Sequence, residues 1–211
     1  SDPRATLWQV IEREPGIGVA VLTVDGEIVY VNGEVAKIYV DQPAATLIGR
    51  KLAEVLPPQI VEQTQTRGAR SIEEKRSITS RIIWRGRQIM NTYHPIHAED
   101  DGEADSFLVV SRVVGPEVAE AAELTSEYVD LGELEVLTPR ELEVLALIGQ
   151  GLRIAEIARL LHRSERTIEK HRESIGRKLQ QTDRVKLALL AARAGLRVED
   201  AKLKRIRSEE S

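Results

Sequence analysis

The chain has 211 residues, of which 42% are hydrophobic and 30% charged, and it contains no cysteine. This length favours two small domains, and this composition is typical of a folded globular chain rather than a disordered one. The absence of cysteine excludes disulfides, thiolate metal sites and cysteine nucleophiles. Since the sequence also shows no membrane span and no signal peptide, we expect a cytoplasmic protein without membrane contact. The chain begins at Ser1 and its only methionine is Met90, so we expect the natural N-terminus to lie upstream.

The two halves of the chain differ in charge. Residues 1–137 contain 13 Lys and Arg against 23 Asp and Glu, a net charge of −10. Residues 138–211 contain 17 against 11, a net charge of +6. An acidic half followed by a basic half predicts two separate roles, and the basic half is the one suited to a polyanion such as nucleic acid.

The first half has a pattern of short strands around a helical segment. The pairs Asp25-Gly26, Arg85-Gly86 and Asp101-Gly102 separate runs rich in β-branched residues, which is typical of hairpins because glycine accepts a positive φ. Short helical patterns broken by proline and glycine occupy Gly33–Arg70, and an amphipathic helix is predicted at Ser1–Arg13. The five predicted strands are Gly18–Val24, Glu27–Asn32, Ser80–Trp84, Gln88–Ile96 and Ser106–Val114.

This order of elements resembles that of a PAS domain over about residues 8–114. The resemblance is carried by Gly16–Gly26, Ile28–Asn32, Leu47–Leu52, Val55–Pro57 and Tyr93–Ile96. It implies an antiparallel five-stranded sheet with a helical insert, acting as a sensory or dimerisation domain. The sequence requires no cofactor, and both a small molecule and a protein partner stay open as the input of this domain.

The second half predicts four helices. Thr138 and Glu141 form a capping box with proline at the first helical position. A second short helix follows from the apolar stripe within Ile154–Leu161, a third begins at the capping residue Ser164, and a fourth spans Asp183–Ala194. Two helices joined by a short turn in a basic domain are typical of a helix-turn-helix.

The same region resembles the LuxR-type DNA-binding domain over about residues 136–197. The resemblance is carried by Leu137–Leu145, Gly151, Glu156–Ala158, Leu161, Ser164, Thr167–His171, Ile175, Lys178-Leu179 and Arg184. It implies an all-α domain of four helices whose third helix enters the major groove. Arg153 and Ile154 depart from the pattern at the start of the second helix, where small hydroxyl or amide residues usually contact phosphate, and Ile154 cannot donate a hydrogen bond.

The resemblance also implies a set of DNA-binding residues. Glu169, Lys170 and Glu173 would face base edges. A carboxylate at position 169 or 173 can accept from cytosine N4 or orient a neighbouring cation, and Lys170 can donate to guanine O6 or N7. His171 would be packed within the domain or contact a phosphate. The expected backbone contacts are Arg163, Arg166, Thr167, Arg172 and Lys178.

Two features predict a dimer. The fourth helix carries two apolar stripes, of which a domain this small can cover only one. We expect Leu187, Leu190, Ala191 and Ala194 to form the dimer interface and the other stripe, Val185, Ala188, Leu189 and Ala192, to be covered. Residues 115–135 have near-heptad apolar spacing, which predicts a linker helix that either pairs in a dimer or packs on the first domain.

The sequence as a whole predicts an α+β first domain at residues 1–114, a helical linker at 115–135 and an all-α domain at 136–211. We find no metal site, no nucleophile–base pair and no phosphate-binding loop, so an enzyme is not expected. The predicted function is that of a homodimeric transcriptional regulator that binds double-stranded DNA. A response-regulator-like protein and an adaptor that uses the helix-turn-helix for protein interaction remain as alternatives.

Overall fold

A computed structural model describes residues 10, 14–96 and 105–206, and only the backbone of residues 116 and 117. The helix predicted at residues 1–13 and the turn predicted at Asp101-Gly102 therefore lie, apart from Val10, outside the described residues. Within the described part of the chain, no helix is long and apolar enough to cross a membrane. The described residues form two compact units, the first within residues 14–81, 89–96, 105–113 and 121–126 and the second within residues 82–88, 114–120 and 127–206.

A six-stranded sheet contains the five predicted strands and one more. The strands are β1 (Ile17–Thr23), β2 (Ile28–Val31), β3 (Ile78–Trp84), β4 (Arg87–Ile96), β5 (Ser106–Val113) and β6 (Leu124–Thr125), in the order β2-β1-β5-β4-β3-β6. The central strand β5 pairs antiparallel with both β1 and β4. At the β3–β4 turn, Arg85 and Gly86 both have positive φ, as the pattern of a tight hairpin turn predicts.

The helical insert follows β2. It contains α1 (Gly33–Tyr39), two 3₁₀ turns at Ala44–Thr46 and Leu52–Glu54, and α2 (Pro58–Glu73). The buried side chain of Asn32 begins this insert, because its Oδ1 accepts hydrogen bonds from the backbone N–H of Val35 in α1 (3.1 Å) and of Val19 in β1 (2.9 Å). One amide therefore caps the helix and joins it to the sheet. An apolar core forms between insert and sheet, including Leu22, Ile28, Leu47, Ile78 and Phe107.

The predicted linker helix at residues 115–135 is wrong. Only α3 (Pro116–Ala119) is helical there; β6 follows, then β7 (Tyr128–Val129) and a 3₁₀ turn at Gly132–Val136. The strand β6 pairs parallel with β3, and Ser126 N–H donates to the Arg81 carbonyl at 2.8 Å. An edge strand offers unpaired backbone donors and acceptors, and an extended segment satisfies them where a helix cannot.

The second unit contains the four helices that the sequence predicts. They are α4 (Pro139–Gly149), α5 (Ile154–Leu160), α6 (Glu165–Lys178) and α7 (Arg184–Ala194), followed by a 3₁₀ turn at Val198–Lys202 and by β8 (Lys204–Arg205), which pairs parallel with β7. The predicted caps are present: Thr138 and Glu141 form the capping box of α4, Asp183 caps α7, and Gly195 ends it at φ 56°. The helices enclose a core of fully buried side chains, including Leu142, Leu145, Ile157, Ile168, Ile175 and Leu187.

Candidate nucleic-acid interface

The helices α5 and α6 form the helix-turn-helix of the second unit. The chain turns at His162, whose φ is 51°, and α6 begins after Ser164. The Ser164 hydroxyl accepts from the backbone N–H of Thr167 at 3.2 Å, and its oxygen lies 2.8 Å from the Thr167 hydroxyl. This cap defines where α6 starts, and so fixes which side of the helix each later residue occupies.

The orientation of α6 follows from its two buried isoleucines. Ile168 and Ile175 are both fully buried and lie seven residues, about two turns, apart. The opposite side of the helix faces outward, and its residues are charged. The exposed residues of that outer face are Arg166, Lys170, Glu173 and Arg177.

The predicted DNA-binding residues fall into four groups. Arg163, Arg166, Lys170 and Glu173 are exposed at the turn and on the outer face of α6, whereas Thr167 and His171 are half-buried on its flanks. Glu169 and Arg172 bind each other: the Arg172 Nη2 and Nε both donate to Glu169 Oε1, at 2.8 and 3.2 Å. Lys178 points instead to α4.

Lys178 is not a free cation for the DNA backbone, contrary to the prediction. Its ammonium donates to Glu141 Oε2 at 2.7 Å, and the Glu141 side chain is only 5% exposed. Ser174 donates to the other carboxylate oxygen at 2.7 Å, and the Thr138 N–H donates to Oε2 at 2.8 Å. Burial raises the pKa of the Glu141 carboxyl, but the hydrogen bonds from Lys178, Thr138 and Ser174 outweigh it and lower the pKa to about 2.

Arg177 is a residue of the outer face that the sequence analysis missed. It is exposed and follows Glu173 by four residues and Lys170 by seven, which is the spacing of one helix face. The family pattern drew attention to the neighbouring Lys178, which lies on the flank of α6 and binds Glu141 of α4. Counting helical positions from Ile168 and Ile175 would have found Arg177 without a structure.

The start of α5 shows why the two departures from the family pattern are tolerated. The half-buried Ile154 packs against the core of the second unit, and the backbone N–H of Arg153 is satisfied by Glu156 Oε2 at 2.6 Å. The helix therefore begins normally. The exposed Arg153 provides the cation at this end of α5.

The stripe predicted as the dimer interface is also wrong. Leu187, Ala191 and Ala194 are buried in the core of the second unit, and Leu190 is half-buried. The opposite stripe is the open one, with Val185 68% exposed and Leu189 62% exposed. Both stripes have helical spacing, so the choice between them depends on where α4 lies: Gly149 of α4 leaves so little space that an added Cβ would come within 2.6 Å of Ala191.

The first unit contains a cavity of about 70 Å³ between the sheet and the insert. Its wall is mostly aliphatic, and no charged side chain lines it. The polar groups on the wall are Tyr39, Thr64, Asn91, Tyr93 and Ser111. Tyr39 donates to Asn91 Oδ1 at 2.9 Å, and burial raises the pKa of its hydroxyl, which keeps the proton on it. The buried Ser111 hydroxyl also lies on the wall, where it interacts with the Tyr39 hydroxyl.

No cluster of three or more potential metal ligands occurs among the residues that the structure describes.

Comparisons with known proteins agree with both units. The family described as bacterial regulatory proteins, luxR family, matches residues 135–191, and the PAS fold matches residues 16–119. The chain thus combines a region that matches the PAS fold with a helix-turn-helix region that matches the luxR family of bacterial regulatory proteins. The predicted fold class is confirmed.

Three individual proteins show how far the similarity extends. The transcriptional regulatory protein LnrK of Bacillus subtilis (strain 168) is 44% identical over 66 residues, which are 31% of this chain and 30% of LnrK. The ligand- and DNA-bound VqmA of Vibrio cholerae has the same fold along most of both chains, with 20% identity, 95% and 92% coverage and a TM-score of 0.54. A domain of an HTR-like protein from Haloarcula marismortui covers 47% of this chain and 98% of its own at 27% identity, with a TM-score of 0.42.

Proposed function

We propose that this protein is a transcriptional regulator that binds specific double-stranded DNA through α6, as a homodimer, under the control of its PAS domain. The observation that carries the proposal is the outer face of α6. Three of its four residues are exposed cations on a rigid, capped helix of a helix-turn-helix, which is the geometry that enters a major groove. The site is non-catalytic, and we place its action in the cytoplasm, with the chromosome.

The exposed stripe of α7 supports the homodimer. Val185 and Leu189 leave an apolar surface open on the second unit, and a second copy of the same helix would cover it. Two such domains would contact half-sites about one helical turn, ~10 bp, apart.

The cavity of the first unit supports control by a small molecule. Its uncharged wall favours a neutral ligand, and the Ser111 hydroxyl and the Asn91 amide on that wall can hydrogen-bond to a polar atom of that ligand. Binding there would alter DNA affinity by favouring one conformation of the protein over another.

Replacing Lys170 with Glu tests the DNA-binding role. We expect K170E to weaken binding to a selected operator at least tenfold, since it removes a cation from the groove-facing side and adds an anion. Fluorescence anisotropy at fixed salt measures this, with K186E on the exposed start of α7 as the charge-matched control. If both variants bind like the wild type, the helix-turn-helix is an adaptor surface and the proposal fails.

A further inference from the structure

The charged residues on the outer face and on the flank of α6 are of two kinds, according to whether another side chain of the protein already binds them. Lys170 and Glu173 are exposed and form no hydrogen bond or salt bridge with the described part of the chain, although the charge of Glu173, after the hydrogen bond with Glu169, also raises the pKa of Arg172. Glu169 is 43% exposed, but one of its oxygens accepts both donors of Arg172. The Arg172 hydrogen bonds lower the pKa of Glu169, so it stays ionised and paired.

The position of each residue around the helix also distinguishes Glu169 from Lys170 and Glu173. A helix turns about 100° per residue, so position 169 lies about 100° from the buried Ile168, on the flank of α6. Positions 170 and 173 lie about 160° and 140° from Ile168, on the side away from the core. An exposed ion pair contributes little to stability, yet a flank position that is already paired is a poor base contact, because DNA binding would have to break the pair.

We propose that Lys170 and Glu173 alone specify two neighbouring G·C base pairs in the operator half-site, Lys170 by contacting a guanine and Glu173 by contacting a cytosine, while Glu169 orients Arg172 and contacts no base. The inference rests on the proposed function and names the sequence that it requires. Lysine donates to guanine O6 and N7, and a carboxylate accepts only from cytosine N4 or adenine N6 in the major groove. Phosphates and guanine oxygens would repel the Glu173 carboxylate, so beside the guanine bound by Lys170 it can only contact a base that offers an amino group.

The spacing along α6 agrees with adjacent base pairs. Three residues of helix rise about 4.5 Å, close to the 3.4 Å step between bases on one strand. Arg166 and Arg177 lie four residues beyond Lys170 and Glu173 in each direction, about 6 Å along the axis. At those positions they would contact the phosphates at either end of the base contacts, and would set affinity without setting sequence.

Selection from a randomised duplex library tests the inference with the full chain. We would select with the wild type and with K170A, E173Q and E169Q, and sequence the bound pools. The expected wild-type motif has a G·C pair at two neighbouring positions in each half-site. K170A is expected to lose the preference at one of these positions and E173Q at the other, while E169Q keeps both. E199Q, at an exposed carboxylate outside α6, is the matched control.

Competition between the selected duplex and a duplex with one changed base pair measures how much the Glu173 contact contributes to affinity. Replacing the cytosine opposite Glu173 with thymine should weaken wild-type binding by about 5- to 150-fold, and E173Q binding by less than twofold. Thermal unfolding of each variant distinguishes a local effect from a failure to fold.

Each result separates the inference from the function on which it rests. If the wild type enriches no sequence at all, both the regulator and its base contacts are wrong. If the wild type enriches a motif that E173Q leaves unchanged and E169Q alters, the protein binds DNA but Glu169, not Glu173, contacts the bases.

Discussion

Lys178 in the last turn of α6 donates a 2.7 Å hydrogen bond to Glu141 in the first turn of α4, 37 residues earlier in the chain. The carboxylate that caps α4 therefore also binds the helix that carries the proposed DNA-contacting face. Removing one partner of such a pair leaves the other charge poorly solvated, which costs more than an exposed pair would contribute.

Glu141 should make the stability of the second unit depend on pH in the acidic range. Its folded pKa of about 2 lies below the unfolded value of about 4.3, so its contribution is complete above the unfolded value and is lost as the pH falls towards 2. We expect E141Q to lower the free energy of unfolding at pH 7 by about 1–3 kcal/mol and to reduce the loss between pH 5 and pH 2.5. Urea unfolding across this pH range measures both effects. E133Q, at an exposed carboxylate, serves as the control, and an E141Q curve parallel to the wild type would contradict the assignment.

Mutations in the two stripes of α7 should differ in their effect on the free energy of unfolding. L187A empties a fully buried position and should lower the free energy of unfolding by about 2–5 kcal/mol. L189A removes a side chain that is 62% exposed in the single chain, so urea unfolding at low protein concentration should change by less than about 0.5 kcal/mol.

Dimerisation should depend on the exposed stripe of α7 rather than on the buried one. L189D places a charge on the exposed stripe and should shift sedimentation from dimer to monomer, because a buried unpaired carboxylate disfavours association. A dimer that tolerates L189D would mean that the copies associate elsewhere.

Gly68 in α2 lies directly under the ring of Phe107 in β5. An added Cβ would come within 2.2 Å of the ring, so G68A should force the ring or the helix to move and lower the free energy of unfolding by about 1–3 kcal/mol. The control is G33A in α1, where a Cβ meets no atom within 4 Å and where alanine should be neutral or slightly stabilising. Equal stabilities of the two variants in thermal unfolding would show that α2 and β5 are not in close contact.

The cavity of the first unit should retain a ligand through purification if it controls DNA binding. Native mass spectrometry should then give a mass above that of the bare chains by the mass of a small molecule. A20V on β1 adds two methyl groups to the cavity wall and should abolish the extra mass, whereas V21I on the same strand, which does not line the cavity, should keep it. Bare wild-type chains would indicate that the PAS domain responds to a protein partner instead.

Much of the fold follows from short-range signals in the sequence. Arg85-Gly86 predicts a hairpin turn because only a few residues accept a positive φ, and Ser164 predicts the start of α6 because its hydroxyl can satisfy a free N–H three residues on. Both signals act within four residues, so they depend little on distant parts of the chain. The outer face of α6 also follows from a short-range signal, because the helical spacing of Ile168 and Ile175 places Arg177 on the opposite side.

Other features depend on segments that are distant in the chain. Leu187 and Leu189 have the same hydrophobicity and the same periodic environment, and only the packing of α4 decides that the first is buried and the second exposed. From the sequence, Lys178 is expected to be a free cation, but folding places Glu141 next to it and the two side chains pair. The segment that contains Leu124 and Thr125 extends along β3 rather than forming a helix, because the sheet edge supplies hydrogen-bond partners. The sequence by itself determined the four helices of the second unit, the β3–β4 turn and the charged face of α6, since these depend on local backbone chemistry. The tertiary structure decided which equivalent surfaces and charges stay free, because burial and pairing depend on residues brought together by folding.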